Sequence, residues 1–204
     1  MEKNIKNIVF DLGGVLINLD FERALKAFKK AGFENIEKQL QSFNREGIFD
    51  QFELGLISED EFRSAIREQT NVSLTDQEID DMWNLILVDI PREKLELILE
   101  LRGKYMVYLL SNTNKTHWDY TCQHAFNYHG FRVNDYFEET FLSFEMHLAK
   151  PDKAIFKKML EDANLIAEET LFIDDSEANC KAAAELGIHT HHYHIGDDSK
   201  EIFE

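Results

Sequence analysis

The chain has little of what marks secreted, disulfide-linked or membrane-spanning proteins. Its 204 residues contain two cysteines, Cys122 and Cys180, which are too few for a disulfide framework and match no CxxC metal or redox pattern. They contain only two prolines, which excludes a proline-rich linker. No apolar run reaches the roughly 18 residues of a spanning helix or the about 7–15 of a signal sequence. We therefore expect a soluble, cytoplasmic protein whose cysteines are buried bystanders.

Positively charged residues are also scarce. Lysine and arginine number 22 against 39 aspartates and glutamates, so the net charge is −17. Binding to nucleic acid or anionic lipid relies on lysine and arginine to neutralise phosphate charge, so we expect neither partner. A small anionic ligand stays compatible with this balance, because exposed charges are screened beyond about 8 Å at physiological salt. With 44% hydrophobic residues, the composition predicts a globular protein, which we expect to be a monomer or homodimer.

The hydrophobic pattern divides the chain into two kinds of region. Short apolar runs typical of buried strands occur at 5–10, 105–110, 137–143, 171–173 and 188–193. Between the first two runs the pattern is helical throughout, with capping boxes at Ser58–Glu61 and Thr75–Glu78. Strands that alternate with helices favour a doubly wound, Rossmann-like α/β fold with a parallel sheet. We predict a core of residues 1–17 and 91–204, with an all-helical cap of residues 18–90 inserted after the first strand.

Polar side chains follow several of the predicted strands, where each strand ends. Ligands of open α/β sheets bind at the carboxyl ends of the strands, so these side chains are expected to meet at one edge. The set comprises Asp11, Ser111, Asn112, Lys150, Asp174 and Asp175.

The chemistry of this set favours a phosphate and a hard cation. Paired carboxylates such as Asp174 and Asp175 repel each other unless a proton, a base or a metal relieves them. With Asp11 nearby they offer the oxygen ligands that Mg²⁺ prefers. Lys150 adds a compact positive charge for a phosphate, and the Ser111 hydroxyl can donate to its oxygens. Asp11 is then placed to attack phosphorus and form an aspartyl phosphate that water hydrolyses.

Four ordered motifs resemble the haloacid dehalogenase-like hydrolase superfamily. They are Phe-Asp-Leu-Gly-Gly-Val at 10–15, Leu-Ser-Asn-Thr at 110–113, Ala-Lys-Pro-Asp at 149–152 and Phe-Ile-Asp-Asp-Ser at 172–176. The helical insert resembles the helical cap of that superfamily. More narrowly, the Asp-Leu-Gly start, the run at 110–114 and the Lys-Pro-Asp motif resemble bacterial α-D-glucose-1-phosphate phosphatase-like members.

The resemblance implies a role for each motif residue. Asp11 would be the nucleophile and a Mg²⁺ ligand, the Gly13 carbonyl oxygen would be a second ligand, and Asp175, with Asp174 beside or behind it, would complete the metal site. The phosphoryl group would be held by Ser111, Asn112 and Lys150. The implied activity is a Mg²⁺-dependent phosphatase acting on a small phosphorylated metabolite.

Gly13 departs from the family pattern. Most phosphatases of the family carry a second aspartate two residues after the nucleophile, where it acts as general acid and base. Such a group contributes about 10²–10⁴-fold to the rate. Its absence disfavours a phosphomutase and favours substrates with good leaving groups, such as a sugar 1-phosphate or an acyl phosphate. Two alternatives stay open: a metal-independent dehalogenase-type hydrolase, and a catalytically silent phosphate-binding regulatory domain.

Weaker candidates for functional residues lie in the insert and just after the fourth motif, the run at 172–176. Asp20, at the junction of core and insert, is a candidate polar contact for substrate. Asn179 either braces the Asp174–Asp175 loop or is solvated. Most insert aromatics are expected in a core, with a few facing the substrate; they are Phe21, Phe28, Phe33, Phe43, Phe49, Phe52, Phe62 and Trp83.

Four histidines near residue 190 suggest zinc at first sight. His189 and His191 fall on one side of the predicted last strand, whereas His192 and His194 fall on the other. Because this alternation spreads the imidazoles and no cysteine joins them, a zinc site is disfavoured.

Overall fold

The computed structural model describes residues 4–40, 47–194, 196–197 and 201–203. The strands are β1 Asn7–Phe10, β2 Met106–Ser111, β3 Thr140–Leu142, β4 Thr170–Asp174 and β5 His189–His192. The helices are α1 Phe21–Lys30, α2 Ile36–Leu40, α3 Ile48–Glu53, α4 Glu59–Gln69, α5 Asp76–Asn84, α6 Arg92–Arg102, α7 Lys115–His124, α8 Val133–Tyr136, α9 Ser143–Met146, α10 Lys153–Asp162 and α11 Glu177–Ala184. Short 3-10 helices lie at Tyr128–Gly130, Ala167–Glu169 and Glu201–Phe203.

The five strands form one parallel sheet in the order β3-β2-β1-β4-β5. β1 is central, since Val9 pairs with Tyr108 of β2 on one side and with Phe172 of β4 on the other. The strand order changes direction at β1, and such switch points are where doubly wound sheets bind ligands. The predicted doubly wound parallel α/β fold is confirmed, and α1–α5 lie between β1 and β2 as expected.

Alternating side chains of β1 feed two apolar layers, one on each face of the sheet. Ile8 and Phe10 belong to the layer that includes Ile98 of α6. Val9 points to the opposite face and joins the layer that includes Phe156 of α10. This two-residue period is that of a strand buried on both faces. The sheet is therefore covered by helices on both sides, and its open edge for ligands is the carboxyl end.

The inserted helices have an aromatic core of their own. Phe49 lies at its centre, with ring centroids 5.7 Å from Phe62 and 5.0 Å from Trp83. Both predicted capping boxes are present, at the starts of α4 and α5. Of the aromatics expected in this core, Phe21 is half exposed, and Phe43 lies outside the described residues.

Two short connections join the insert to the sheet, and they bond to each other. The Asn18 amide donates to the Asp89 carbonyl oxygen (2.8 Å), and the Val88 amide donates to the Asn18 carbonyl oxygen (2.9 Å). The Asp20 amide donates to the Ile86 carbonyl oxygen (2.8 Å). The predicted boundary at 18–90 falls on this crossing, although the division into core and cap stays a prediction.

Several predicted element bounds differ from the structure. The run at 137–143 is a strand only over Thr140–Leu142, because α8 ends at Tyr136 and Ser143 already starts α9. Helix α11 ends at Ala184, three residues before Gly187 with its positive φ of 88°. Among the described residues, no helix is long and apolar enough to cross a membrane.

Candidate active site

Lys150 lies at the centre of the charged residues at the carboxyl end of the sheet. Its Nζ is 2.8 Å from Asp11 Oδ1 and 2.7 Å from Asp174 Oδ2, and it donates to the Leu110 carbonyl oxygen (2.9 Å). Lys150 is only 4% exposed. Burial alone would lower the pKa of Lys150, but the two carboxylates raise it overall. A buried ammonium thus joins the end of β1 to the end of β4.

Asp174 is held from three directions. Its Oδ1 accepts from the Ser176 amide (2.8 Å) and from Asn179 Nδ2 (2.9 Å), while its Oδ2 accepts from Lys150. Asn179 therefore braces this loop, which is the first of the two roles left open by the sequence. Because its oxygens are already engaged, Asp174 positions Lys150 and is less available to a metal than Asp11 or Asp175.

Asn112 fixes the backbone of Lys150. Its side-chain amide donates to the Lys150 carbonyl oxygen (3.0 Å), and its Oδ1 accepts from the Lys150 amide (2.9 Å). Ser111, at the end of β2, is 1% exposed, and its Oγ is 3.4 Å from the Asn112 carbonyl oxygen. Asn112 thus holds the Lys150 backbone through both ends of its side-chain amide, while its predicted contact with substrate stays a prediction.

Asp11 has one oxygen engaged and one available. Its Oδ1 accepts from the Leu12 amide (2.7 Å) and from Lys150. No described residue donates a hydrogen bond to its Oδ2. Burial raises the pKa of Asp11 from 3.8 to about 7, against the lowering effect of Lys150. The buried negative charge is therefore under-compensated by the protein alone.

The carboxylates fit the predicted cation. Asp11, Asp174 and Asp175 each offer an oxygen within 4.8 Å of the others, the only such group of three potential ligands among the described residues. The pKa of Asp175 is raised by burial and then by Asp174. No described residue donates to the Gly13 carbonyl oxygen, which leaves it free as a further ligand. A divalent ion prefers such oxygens and would supply the missing positive charge.

Gly14 is required for the position of Asp175. Its φ is +75°, which L-residues rarely adopt, and an added Cβ would overlap Asp175 Oδ2. The second glycine of the Asp-Leu-Gly-Gly motif therefore makes room for the carboxylate of Asp175, just after β4, in addition to shaping a turn.

A cavity of about 470 Å³ opens beside these residues, between the sheet edge and the inserted helices. The core contributes Leu12, Gly13, Ser111, Asn112, Thr113, Asn114 and His117 to its lining. The insert and its connections contribute Ile17, Leu19, Phe21, Leu25, Glu37, Leu40, Phe49, Asp50, Glu53, Trp83, Ile86 and Leu87. Its size is that of a small-molecule site.

His117 connects the two walls of this cavity. Its ring stacks on Trp83 with centroids 4.6 Å apart, and its Nε2 donates to the Trp83 carbonyl oxygen (3.1 Å). Its Nδ1 then accepts from Asn114 Nδ2 (3.2 Å). Burial lowers the pKa of His117 to about 4, so the imidazole is neutral at physiological pH.

Sequence patterns did not identify the polar residues that the inserted helices contribute to the cavity wall, above all Glu53. Asp50 and Glu53 lie three positions apart on α3, a spacing that places them on one helical face. In the sequence this pair reads as an ordinary solvated face, because no strand end or glycine turn marks it. Only the fold shows that the face borders a cavity.

Asp20 lies at the junction of core and insert, as expected, but its side chain is engaged locally. Its side chain accepts from the Glu22 and Arg23 amides and caps the start of α1. It is absent from the cavity lining, so the structure gives the proposed substrate contact no support. An aspartate just before a helix has a ready partner in the free amides of the first turn, and that local bond prevails.

Two of the four histidines near residue 190, His189 and His192, have backbone partners. His189 Nε2 is 3.1 Å from the Glu168 carbonyl oxygen, and His192 Nε2 is 3.0 Å from the Asp175 carbonyl oxygen. The His192 and His194 ring centroids are 4.5 Å apart, with the ring planes tilted by 50°. The bond from His192 to the Asp175 carbonyl oxygen places this histidine against the loop that follows β4. Cys180 is buried as expected, whereas Cys122 is partly exposed.

Comparisons with known proteins agree with this geometry. Residues 5–187 match the family described as haloacid dehalogenase-like hydrolase. A curated D-ribitol-5-phosphate phosphatase of Bacteroides thetaiotaomicron is 38% identical, over 97% of this chain and 96% of its own.

Solved structures show the same relationship. A HAD family enzyme of Bacteroides thetaiotaomicron, determined with magnesium and inorganic phosphate, is 55% identical with a TM-score of 0.94, covering 98% of this chain and 100% of its own. A HAD-like family hydrolase of Porphyromonas gingivalis is 38% identical with a TM-score of 0.90, covering 98% and 97%. The narrower resemblance to α-D-glucose-1-phosphate phosphatases stays a prediction. The chain belongs to the haloacid dehalogenase-like hydrolase family, among its phosphatases.

Proposed function

We propose that the protein is a Mg²⁺-dependent phosphatase that hydrolyses the phosphate monoester of a small polyol or sugar through an aspartyl phosphate on Asp11. The observation that carries this proposal is the buried Lys150, held between Asp11 and Asp174 next to a cluster of three carboxylates. This arrangement of one ammonium and three carboxylates suits the binding of a phosphate together with a divalent cation.

The residues divide the work of phosphoryl transfer. Asp11 Oδ1 is held by Lys150 and the Leu12 amide, so the carboxylate is oriented and Oδ2 can bond to phosphorus. Lys150 stabilises the charge on the transferring group, and the Ser111 hydroxyl is placed to donate to it. Mg²⁺, when bound, would neutralise phosphoryl oxygens and keep Asp11 ionised.

The cavity wall favours a neutral, hydroxyl-bearing group beyond the phosphate. Asp50 and Glu53 can accept hydrogen bonds from hydroxyls, and the Asp50 carboxylate opposes a second anionic group. Leu19, Phe21 and Leu25 cover an apolar side. A polyol such as ribitol, whose 5-phosphate names a relative's activity, has this character. A sugar 1-phosphate has it too and stays within the proposal.

A phosphatase assay tests the proposal. With p-nitrophenyl phosphate, we expect turnover that requires Mg²⁺, is abolished by a chelator, and falls by about 10⁴-fold or more in Asp11→Asn. A panel of ribitol 5-phosphate, glucose 1-phosphate, glucose 6-phosphate and fructose 1,6-bisphosphate then measures specificity, with the bisphosphate turned over most slowly.

Three results would contradict the proposal. Undiminished activity in Asp11→Asn would exclude the aspartyl phosphate. Metal-independent release of halide from a 2-haloacid, without phosphatase activity, would favour a dehalogenase. Phosphate binding without turnover of any ester would favour a silent binding domain.

A further inference from the structure

The motif around Asp11 lacks a carboxyl at Gly13, yet the opposite wall of the same cavity carries a carboxyl at Glu53. Glu53 is the last residue of α3 and lines the cavity together with Gly13 and Ser111. Its carboxyl makes no hydrogen bond or ion pair with any described residue. Burial, and then the charge of Asp50, raises the pKa of Glu53 to about 7. At neutral pH this group can both donate and accept a proton, as a general acid and base must.

The core holds the backbone around Glu53 in place. The Ser143 hydroxyl donates to the Glu53 carbonyl oxygen (2.7 Å), and His147 Nδ1 donates to the Leu54 carbonyl oxygen (2.9 Å). Gly55 has a φ of +63°, and an added Cβ would overlap the Phe144 carbonyl oxygen. The chain after α3 is thus docked on the segment that follows β3. This docking fixes the Glu53 backbone relative to the sheet edge, which a solvated glutamate would not need.

Other titratable residues of the wall are less suited to proton transfer. The Glu37 carboxylate pairs with Lys29 (2.6 Å). His117 has both ring nitrogens engaged and a pKa of about 4. Of the two carboxyls on α3, Glu53 is the one anchored to the core through its own carbonyl oxygen.

We propose that Glu53, contributed by the inserted helices, is the general acid and base that replaces the aspartate missing at Gly13. This inference rests on the proposed phosphatase function. As the bond from Asp11 Oδ2 to phosphorus forms and the ester P–O bond breaks, the Glu53 proton passes to the departing oxygen, which leaves as an alcohol. The resulting Glu53 carboxylate then takes a proton from water, whose oxygen bonds to phosphorus as the Asp11–phosphorus bond breaks. Asp11 and the protonated Glu53 are regenerated, and inorganic phosphate leaves.

The inference changes which substrates are expected. With Gly13 alone, only esters with good leaving groups would react quickly. With Glu53 as acid, the phosphate of a primary alcohol becomes an effective substrate as well.

The test compares leaving groups in Glu53→Gln. kcat/KM includes only steps up to departure of the leaving group, so it isolates the acid role. We expect kcat/KM to fall by about 100-fold or more for ribitol 5-phosphate, and by a smaller but clear factor for phenyl phosphate. For p-nitrophenyl phosphate, whose leaving group needs little protonation, the fall should be less than about 10-fold. Glu53→Asp, which keeps the acid on a shorter side chain, should recover part of the loss with phenyl phosphate.

Controls separate the possible failures. Glu68→Gln makes the same change at an exposed position of α4 and should leave all three rates unchanged. Thermal unfolding of Glu53→Gln shows whether the variant is folded. Equal losses with phenyl and p-nitrophenyl phosphate would overturn the acid role, since neither aryl group carries a hydroxyl for Glu53 to bind. A parent protein inactive on every ester would overturn the proposed function itself, and the acid role with it.

Discussion

The two walls of the cavity are built differently. At the sheet edge, the Lys150 ammonium has three oxygen partners and Asp174 has three donors, so the charged groups are held by one another. On the inserted helices, rings around Phe49 form the body of the wall, and Glu53 stands without a bonded partner among the described residues. The sheet-edge wall suits the phosphate group, which is the same in every substrate. The insert wall suits recognition of the rest of the substrate by its shape, together with proton transfer. Substitutions in one wall therefore test whether the other wall depends on it.

The largest effect is expected for Lys150→Met. Removing the ammonium leaves Asp11 and Asp174 as buried carboxylates without a counter-charge, and losing one partner of a buried pair costs about 3–5 kcal/mol. We expect this loss in the free energy of unfolding from urea denaturation, together with loss of phosphatase activity. Lys158→Met, which removes an exposed lysine paired with Asp162, is the control and should change stability little. A Lys150→Met protein as stable as the parent would show that the sheet-edge charges do not depend on one another.

His117 joins the two walls, and its lowered pKa should make the free energy of unfolding decrease as the pH falls. Its pKa is about 4 when folded and about 6.5 when unfolded, so between these values the unfolded chain binds a proton that the folded chain does not. Lowering the pH through this window should cost up to about 3 kcal/mol. Asp11 and Glu53, with raised pKa values, act in the opposite sense in the same window. Urea unfolding of the parent and of His117→Gln at about pH 7.5 and about pH 5 therefore isolates the His117 contribution. Identical pH dependence in both proteins would contradict a buried neutral imidazole.

Gly14→Ala should disturb the proposed Mg²⁺ site formed by Asp11, Asp174 and Asp175 without changing the insert wall. The new Cβ would displace the Asp175 carboxylate, and the Mg²⁺ concentration for half-maximal activity should rise by about 10–100-fold. Gly130→Ala is the matched control, because Gly130 has a similar φ of +83° but no atom within 4 Å of an added Cβ. Both variants carry the backbone strain, of about 1–2 kcal/mol. An equal Mg²⁺ requirement in the two variants would show that Asp175 is not a ligand.

The smallest effect is expected for Gly13→Asp. Its Cβ would lie 3.1 Å from Leu19 Cδ1, a flexible side chain that can shift, and the backbone is not in the left-handed region. If Glu53 already supplies the acid, a second acid should raise kcat/KM for alkyl phosphates by less than about 10-fold in the parent. In the Glu53→Gln variant, Gly13→Asp should raise kcat/KM for alkyl phosphates by a larger factor than it does in the parent. A large gain in the parent would show that the insert wall supplies no acid.

The sequence predicted the sheet edge well for a physical reason. Strand ends and glycine turns are local signals, and the parallel sheet brings them together at one place whatever the details of packing. Asp11, Ser111, Lys150 and Asp174 accordingly come together as expected. What the sequence could not show was the division of labour at this edge, such as Asp174 being used to hold Lys150.

The insert wall was predicted less well because its signals are not local. Glu53 and Asp50 resemble a solvated helical face until the docking of Gly55 on the Phe144 carbonyl oxygen turns that face towards the cavity. Asp20 shows the opposite situation: its place at the junction suggested a substrate contact, which stays a prediction, whereas the structure shows a local capping bond. Helix patterns locate an insert of this kind, whereas its functional residues depend on how the two walls meet.

The most direct test of this account is detection of the phosphorylated nucleophile. After rapid mixing with p-nitrophenyl phosphate and Mg²⁺, followed by an acid quench, mass spectrometry should find one added phosphoryl group on the peptide that contains Asp11. It should accumulate to a higher level in Glu53→Gln, where water is activated poorly but p-nitrophenolate still departs. Turnover without any phosphorylated peptide in either protein, or a phosphoryl group on a residue other than Asp11, would contradict the account.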